Sequence, residues 1–362
     1  MQAIVVSPPK KGIEYVDFQE EDGTGIPVRI RETGICGTDR EIVNGQMASA
    51  SLPRGSSFMV LGHEAIGVVQ EDGESIRKGD LVMPVNRRGC GHCLACLNGR
   101  PDFCETGGFV EAGIKGMHGF MRETYWDEER YLVRVPRGIE DIAVMAQPLS
   151  DLEKSMEEVM QVQNRLPWKC PDGSLGCRKA LVVGTGPIGI LTSLLLRSYG
   201  LGVFISNVRE PSREEQKIFD DADITYYNSS SGYSALRDKH GEFDLVFEAS
   251  GADASMLPQL LGIIKNNGVL GLFGFPRSGY ASFSHTDLQN LVYRSIAVVG
   301  LINGQKPHFQ SAMNRLAAWK VMFPVATSLL ITRVLDHTER DSVREALTSK
   351  TPGEIKVKIR WS

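Results

Sequence analysis

Lys179-Ala180-Leu181-Val182-Val183-Gly184-Thr185-Gly186-Pro187-Ile188-Gly189 is the stretch on which the fold turns. The apolar run 180–184 reads as a short buried strand, and the apolar segment 190–196 after it as a helix. Gly-x-Gly-x-x-Gly by itself is a weak signal. A strand before it, a helix after it and a second strand about 20 residues on give it the setting of a dinucleotide-binding turn. Gly184 makes the tight turn in that reading, Gly186 lets the backbone approach a pyrophosphate, and Gly189 lets the helix pack closely on the strand. Pro187 suits the first helical turn, where its missing N–H costs nothing. The helix N-terminus then aims N–H groups at the phosphates. A ligand-free β–α turn is the blander alternative, and the flanking pattern favours the dinucleotide.

Outward from this turn, apolar strand-like runs recur at 202–206, 224–227, Phe243–Glu248, 269–275 and 296–301, with helical or loop segments between them. Six such strands predict an α/β domain built on a doubly wound parallel sheet. Upstream, residues 1–140 read as β structure broken by Gly, Pro, Asp and Ser turns. Helical spacing over 152–166 predicts a helix with Ser150 or Asp151 as its N-cap. The tail carries a helix covering at least 310–320 and an alternating strand at 355–359, which is expected to rejoin the first domain. The expected organisation is 1–150, 151–306 and a returning segment 307–362.

The 362 residues allow two or three domains at roughly 150 residues each. A hydrophobic content of 42% with 23% charged residues excludes disordered, collagenous and coiled-coil classes. The formal charge of −4, without a basic stripe interleaved with aromatics, argues against nucleic acid as a partner. The best apolar stretch, 180–196, is interrupted by glycines, Pro187, threonines and Ser193, so no membrane span is expected. The opening apolar run is too short for a secretory signal, and a cytosolic protein is expected.

Cys90-Gly91-His92-Cys93-Leu94-Ala95-Cys96 and Cys104 give the spacing C-x2-C-x2-C-x7-C. Four thiolates on so short a loop can close a tetrahedral, structural zinc site. Ferredoxin-type iron–sulfur spacing is not met. His92 is expected to face solvent. Cys170 and Cys177 flank a Pro-Asp-Gly-Ser turn and are expected to be two free thiols. The second strand of the parallel domain ends at Asn207-Val208-Arg209-Glu210. A carboxylate at that strand end would repel a 2′-phosphate, whereas a guanidinium binds it. Neutral Asn207 and Arg209 therefore predict NADP over NAD. The competing reading leaves Arg209 as a surface charge and gives the ribose to Glu210.

Gly34-Ile35-Cys36-Gly37-Thr38-Asp39 and Gly62-His63-Glu64-Ala65-Ile66-Gly67 offer a thiol, an imidazole and carboxylates, the ligand types of a catalytic zinc with an open position. By spacing alone neither segment persuades, since a lone His63 is more often structural. Together with the four-cysteine lobe and the later glycine turn, in that order, they resemble the zinc-dependent medium-chain dehydrogenases along essentially the whole chain. Further segments narrow this. They are Asn86-Arg87-Arg88, Arg100-Pro101-Asp102-Phe103-Cys104, Glu111-Ala112-Gly113, His118-Gly119-Phe120-Met121-Arg122, Ala146-Gln147-Pro148-Leu149 and Leu301-Ile302-Asn303-Gly304-Gln305-Lys306-Pro307-His308. The set looks like the archaeal glucose 1-dehydrogenases.

The resemblance implies a GroES-like catalytic domain with a zinc lobe at about 86–108, then a Rossmann domain. It implies oxidation of D-glucose to D-glucono-1,5-lactone with NADP or NAD, galactose or xylose being alternative sugars. Cys36 and His63 become zinc ligands, with Glu64 and Gln147 completing the sphere directly or through water, so that each chain carries two Zn²⁺. Asp39 becomes the partner of the free His63 ring nitrogen, and Thr38 the group that hands the hydroxyl proton outward. The sugar is placed among Thr38, Asn86, Glu111, Gln147, Asp151 and Asn303. The cofactor is placed against Thr185, Gly186, Pro187, Ile188, Asn207, Val208, Arg209, Phe273, Gly274, Phe275, Leu301, Ile302 and Asn303. A homotetramer or homodimer is implied. Two departures stand out. Val208 replaces the first of two arginines expected after Asn207, which weakens the hold on a 2′-phosphate, and Ser150 stands where Ala is expected. Without the resemblance, Asp151 reads as a helix cap, Glu111 as a loop charge and Asn86 as a turn former. The rival functions are a polyol, secondary-alcohol or threonine dehydrogenase on the same fold, and a non-catalytic NADPH- and zinc-binding scaffold.

Overall fold

The computed structural model describes residues 1–17 and 23–361. The chain forms two compact units. One is Met1–Ser150 with Asn303–Ala318 and Leu330–Ser362, the other Asp151–Ile302 with Trp319–Leu329.

In the second unit six strands lie side by side in the order Ile224–Asn228, Gly202–Asn207, Lys179–Val183, Phe243–Glu248, Ile264–Leu272, Ala297–Gly300. Every pairing is parallel. Strands covered on both faces favour apolar side chains on both, which is why the central strands of this sheet read as short apolar runs. Phe243–Glu248 is buried throughout, and Leu181, Phe243, Val246, Ile264 and Leu270 share one core. The fifth strand runs Ile264–Leu272 rather than 269–275. It begins early through the polar Asn266-Asn267 step, where Asn267 takes a φ of 63°. It stops at Leu272 because the N–H groups of Phe273 and Gly274 both turn to the Glu248 carbonyl.

Three further expectations are corrected in this part of the chain. The helix expected from 152 runs Ala146–Gln163, following a 3₁₀ turn at Ala143–Met145. Pro148 is tolerated because it lies in the first turn. Ser150 therefore does not cap the helix; its hydroxyl donates back to the Gln147 carbonyl, as Ser155 does to Asp151. Cys170 and Cys177 are joined in a disulfide, not free. The Pro171–Gly176 stretch folds back on itself, with Cys170 N–H on the Ser174 carbonyl, and brings the two Cα atoms to 6.0 Å, within bridging reach. Finally, Trp319–Leu329, part of the expected returning segment, joins the second unit. There the Ala326 N–H donates to Asp221 Oδ2 at 2.9 Å.

The first unit is built on a seven-stranded sheet with two three-stranded sheets beside it. Its long strand, Ile26–Ile35, pairs antiparallel with Ala65–Val69 and Thr124–Asp127. The final strand, Lys356–Arg360, inserts between Ile26–Ile35 and Ile331–Asp336, opposing Lys358 to Gly34 and Val357 to Ile35. The tail strand thus rejoins the first unit as its sequence suggests. Alternation there would place the lysines in solvent, yet Lys356 and Lys358 are buried. Each is matched by a buried carboxylate. Lys356 Nζ lies 2.6 Å from both Glu64 oxygens, and Lys358 Nζ lies 2.8 Å from Glu32 Oε2.

Removing one partner of such a pair strands a charge in the interior. Lys358→Met is expected to lower unfolding stability by about 3–5 kcal/mol in a denaturant titration, the range for breaking a buried ion pair. Arg130→Ala, which breaks the exposed pair with Glu128, is expected to stay within about 1 kcal/mol of wild type. Equal losses in the two variants contradict this reading.

Candidate metal and dinucleotide sites

Cys36 ends the Ile26–Ile35 strand and caps the short helix Gly37–Val43. Its N–H donates to Asp39 Oδ2 at 2.8 Å, which turns the Asp39 carboxylate inward to full burial. Asp39 Oδ1 then sits 3.2 Å from His63 Nδ1 and leaves the other ring nitrogen available to a metal. Burial opposes a charged His63. Asp39 and Cys36 outweigh it and raise the ring's pKa well above the ordinary value, so the pocket is electronegative. Glu64 follows on the chain, wholly buried. The donor atoms of Cys36, His63 and Glu64 all lie within 4.8 Å of one another, and thiolate, imidazole and carboxylate are a donor set that suits zinc.

Gly34 lies against this cluster. A Cβ there would meet Glu64 Oε2 at 2.0 Å and Val144 Cγ2 at 2.9 Å. Gln147 is buried in the first turn of the helix that follows Val144. Asp151, one turn further along that helix, leaves from the same face. Thr38 is half-buried in the first turn after Cys36. Asn86 is buried and its carbonyl accepts from Ala112 N–H, while Glu111 faces Arg87 in strand register. Burial raises the Glu111 pKa, and the charges of Arg87, His63 and Lys115 oppose it, so Glu111 is within electrostatic reach of the histidine. Asn303 is buried with φ 62°, and its Nδ2 has no partner among the described residues. Gln305 Nε2 is in the same condition. Between them, Gly304 packs on Ser150; a Cβ at 304 would meet its Oγ at 2.6 Å. Two buried amide donors left open are a fit for a polyhydroxylated ligand.

The four lobe cysteines also bring their sulfurs within 4.8 Å of one another. Hydrogen bonds from Thr106 and the His92 backbone pull the Cys90 thiol down to about 5, while burial pushes Cys96 up to about 12. Four crowded sulfurs cannot all ionise unaided, and a divalent cation removes the conflict. His92 is exposed, outside the sulfur cluster, with Nδ1 2.9 Å from the Cys90 carbonyl.

In the second unit Gly184 has φ 104°. A Cβ on Gly189 would lie 1.9 Å from the Gly184 carbonyl oxygen, whereas one on Gly186 would meet nothing within 4 Å. The third glycine is thus fixed by packing and the second opens onto free space, as a phosphate-binding turn needs. Pro187 starts the helix Pro187–Ser198, with Ile188 next and Gly186 as its N-cap. Asn207 Nδ2 donates to Thr185 Oγ1 at 2.7 Å, and Val208 is exposed. Glu210 Oε1 accepts from Asn228 Nδ2. Phe275 and Ile302 are exposed, while Leu301 is buried and donates to the Leu272 carbonyl.

Residues 140–360 match the family profile of the glucose dehydrogenase C-terminus, and residues 23–137 that of the alcohol dehydrogenase GroES-like domain. The chain belongs to the zinc-dependent medium-chain dehydrogenases, in their glucose dehydrogenase branch. It is 52% identical over 361 residues to glucose 1-dehydrogenase 1 of Picrophilus torridus, covering 100% of both chains. It is 50% identical over 367 residues to glucose 1-dehydrogenase 2 of Saccharolobus solfataricus, again covering 100% of both. The solved Haloferax mediterranei glucose dehydrogenase in complex with NADP, Zn and gluconolactone superposes with a TM-score of 0.87 at 28% identity, covering 100% of this chain and 99% of that one.

Three residues of this dehydrogenase escape sequence reasoning. Lys356 is hidden in an alternating strand, Gln305 in a loop, and Glu215 in a helix N-terminus where acidic residues are ordinary. Only the fold shows what each one faces. The glycine geometry gives a direct test. Gly189→Ala is expected to lower the melting temperature by several degrees, through a backbone clash. Gly186→Ala is expected to leave it unchanged and raise the dinucleotide KM by about tenfold, the cost of a lost phosphate contact. A Gly186→Ala variant with unaltered KM contradicts the assignment.

Proposed function

We propose that the chain oxidises D-glucose, and with it galactose or other aldoses, at the anomeric carbon to the 1,5-lactone, with the hydride passing to NADP or NAD. The observation that carries this is the Cys36–His63–Glu64 cluster, with its donor atoms within 4.8 Å, in a chain 52% identical along its whole length to a glucose 1-dehydrogenase. Cys36 and His63, with Glu64 and Gln147 directly or through water, are the residues that would hold one zinc; Cys90, Cys93, Cys96 and Cys104 would hold a second. When bound, the first ion supplies a Lewis acid for the anomeric hydroxyl and the dinucleotide supplies the hydride acceptor.

The chain's own residues do the rest. Asp39 orients His63 and fixes which ring nitrogen faces inward. Thr38, on the turn after Cys36, takes the hydroxyl proton toward solvent. Asn86, Glu111, Gln147, Asp151 and Asn303 supply acceptors and donors to the sugar hydroxyls, and the open Asn303 Nδ2 is satisfied when one binds. Such groups suit a polyol ligand better than a simple alcohol, for which an apolar slot would serve. Gly184, Gly186 and Gly189 shape the phosphate turn, with Asn207, Val208 and Arg209 at the ribose end and Phe273, Gly274, Phe275, Leu301 and Ile302 along the cofactor.

We also place the enzyme in the cytoplasm. No helix among the described residues is long and apolar enough to cross a membrane. A homodimer or homotetramer would cover the exposed Leu288, Val292 and Tyr293 and, on the edge strand Ala297–Gly300, the exposed Val298.

The test is NADP reduction with D-glucose, before and after chelation. Glucose-dependent reduction that disappears with the metal and returns with added Zn²⁺ is expected. Faster turnover of sorbitol or 2-butanol than of glucose overturns the substrate assignment. No turnover with either cofactor, while zinc stays bound in the lobe alone, would leave a non-catalytic scaffold.

A further inference from the structure

Arg209 is the cation expected to receive the 2′-phosphate of NADP, but in this fold its guanidinium is already committed. Nη1 donates to Glu215 Oε2 at 2.7 Å and to the Glu210 carbonyl at 2.9 Å. Nη2 donates to Glu215 Oε1 at 2.7 Å and to Thr185 Oγ1 at 3.2 Å. Arginine has five N–H donors in a rigid fork. Four are therefore in use, and only Nε–H lacks a partner among the described residues. The bond to Glu215 is the bidentate form, the strongest geometry a guanidinium makes with a carboxylate and the same geometry it would use for a phosphate.

Glu215 is itself held firmly. It is buried, while the Arg209 side chain is 48% exposed at the rim. It is the third residue of the helix Arg213–Asp221 and completes a capping box, with Ser212 N–H donating to Oε2 and Ser212 Oγ accepting from its N–H. Burial raises its pKa, but Arg209 and the Ser212 N–H outweigh this and hold it below the ordinary carboxylate value. The carboxylate is thus a fixed anion beside the one guanidinium at the strand end, and Val208 next to it offers no charge.

We propose that Glu215 is a specificity-determining residue for the cofactor. By neutralising Arg209 it narrows the advantage of the 2′-phosphorylated dinucleotide and keeps the unphosphorylated one in competition. This rests on the dinucleotide reading above. A 2′-phosphate must either displace Glu215 from the guanidinium or bind with a carboxylate next to it, whereas a 2′-hydroxyl meets a pair that is already neutral. Nothing else on the strand end makes up the difference, since Asn207 is turned to Thr185 and Glu210 to Asn228.

The deciding experiment uses Glu215→Gln in the zinc-loaded enzyme. Glutamine keeps the capping box, which accepts Glu or Gln at this position, and removes the charge and with it one of the two oxygens that accept from Arg209. Kd for NADP and for NAD are measured by fluorescence titration, alongside kcat/KM for each with glucose. The expected result is an NADP-to-NAD ratio raised by about tenfold, the worth of one charge-assisted bond, with NAD little affected. In the Glu215→Gln/Arg209→Gln double variant the gain should vanish, because the cation it frees is gone. Should Glu215→Gln melt early, Glu215→Ala, measured below its melting temperature, removes the same charge and must still raise the ratio. Parallel shifts for both cofactors, or an unchanged ratio, overturn the proposal and leave Glu215 a helix cap. Binding of neither dinucleotide by the wild-type chain overturns the cofactor reading itself, and the inference with it.

Discussion

The buried contact between Lys356 and Glu64 is the constraint on which the first unit depends. An ammonium so far from water is tolerable only against an anion, and an unpaired Glu64 would be equally costly. With both Glu64 oxygens 2.6 Å from Nζ, the last strand of the chain is tied to the residue beside His63. The Lys358–Glu32 pair repeats the arrangement one pleat away, on the same face of the strand. The last strand is therefore tied to the cluster of Cys36, His63 and Glu64 proposed to hold a metal. It fills the place between Ile26–Ile35 and Ile331–Asp336 and puts an ammonium against Glu64. The Lys356 ammonium offsets the Glu64 carboxylate, so a zinc held by Cys36, His63 and Glu64 would keep more of its own charge for the substrate hydroxyl.

The second unit follows the same logic with smaller means. Three glycines shape the phosphate turn for three different reasons: a positive φ at Gly184, open space at Gly186 and close packing at Gly189. Just beyond, Asn207, Thr185, Arg209, Glu215 and Ser212 form a series of hydrogen bonds at the strand ends. Both units thus pre-pair the charged groups that ligands are to meet. A site organised in this way loses little order on binding, and its selectivity is set by which internal bond the ligand must replace.

What the sequence made legible was local. The lobe cysteines and the glycine turn carry their meaning in spacing, the Cys36 and His63 segments in the order of parts they share with the other motifs, and the parallel strands in short apolar runs. What it hid was long-range or ambiguous. Lys356 and Lys358 obey the alternation of a half-exposed strand, and only the partners Glu64 and Glu32, far away in sequence, reveal that both faces are covered. The helix start at Ala146 lacks any capping residue, because it grows out of the buried 3₁₀ turn before it, so Ser150 and Asp151 looked like the beginning. Cys170 and Cys177 looked free because spacing alone does not show the fold-back of the turn between them. The sequence offers Arg209 to a 2′-phosphate because nothing in its neighbourhood identifies Glu215, six residues on, as its partner.

Anomalous diffraction at the zinc edge, from crystals of the zinc-loaded enzyme, tests the account most directly. Two peaks per chain are predicted, one among Cys90, Cys93, Cys96 and Cys104 and one against Cys36, His63 and Glu64. A single peak, confined to the lobe, would contradict the metal-dependent oxidation proposed for this chain.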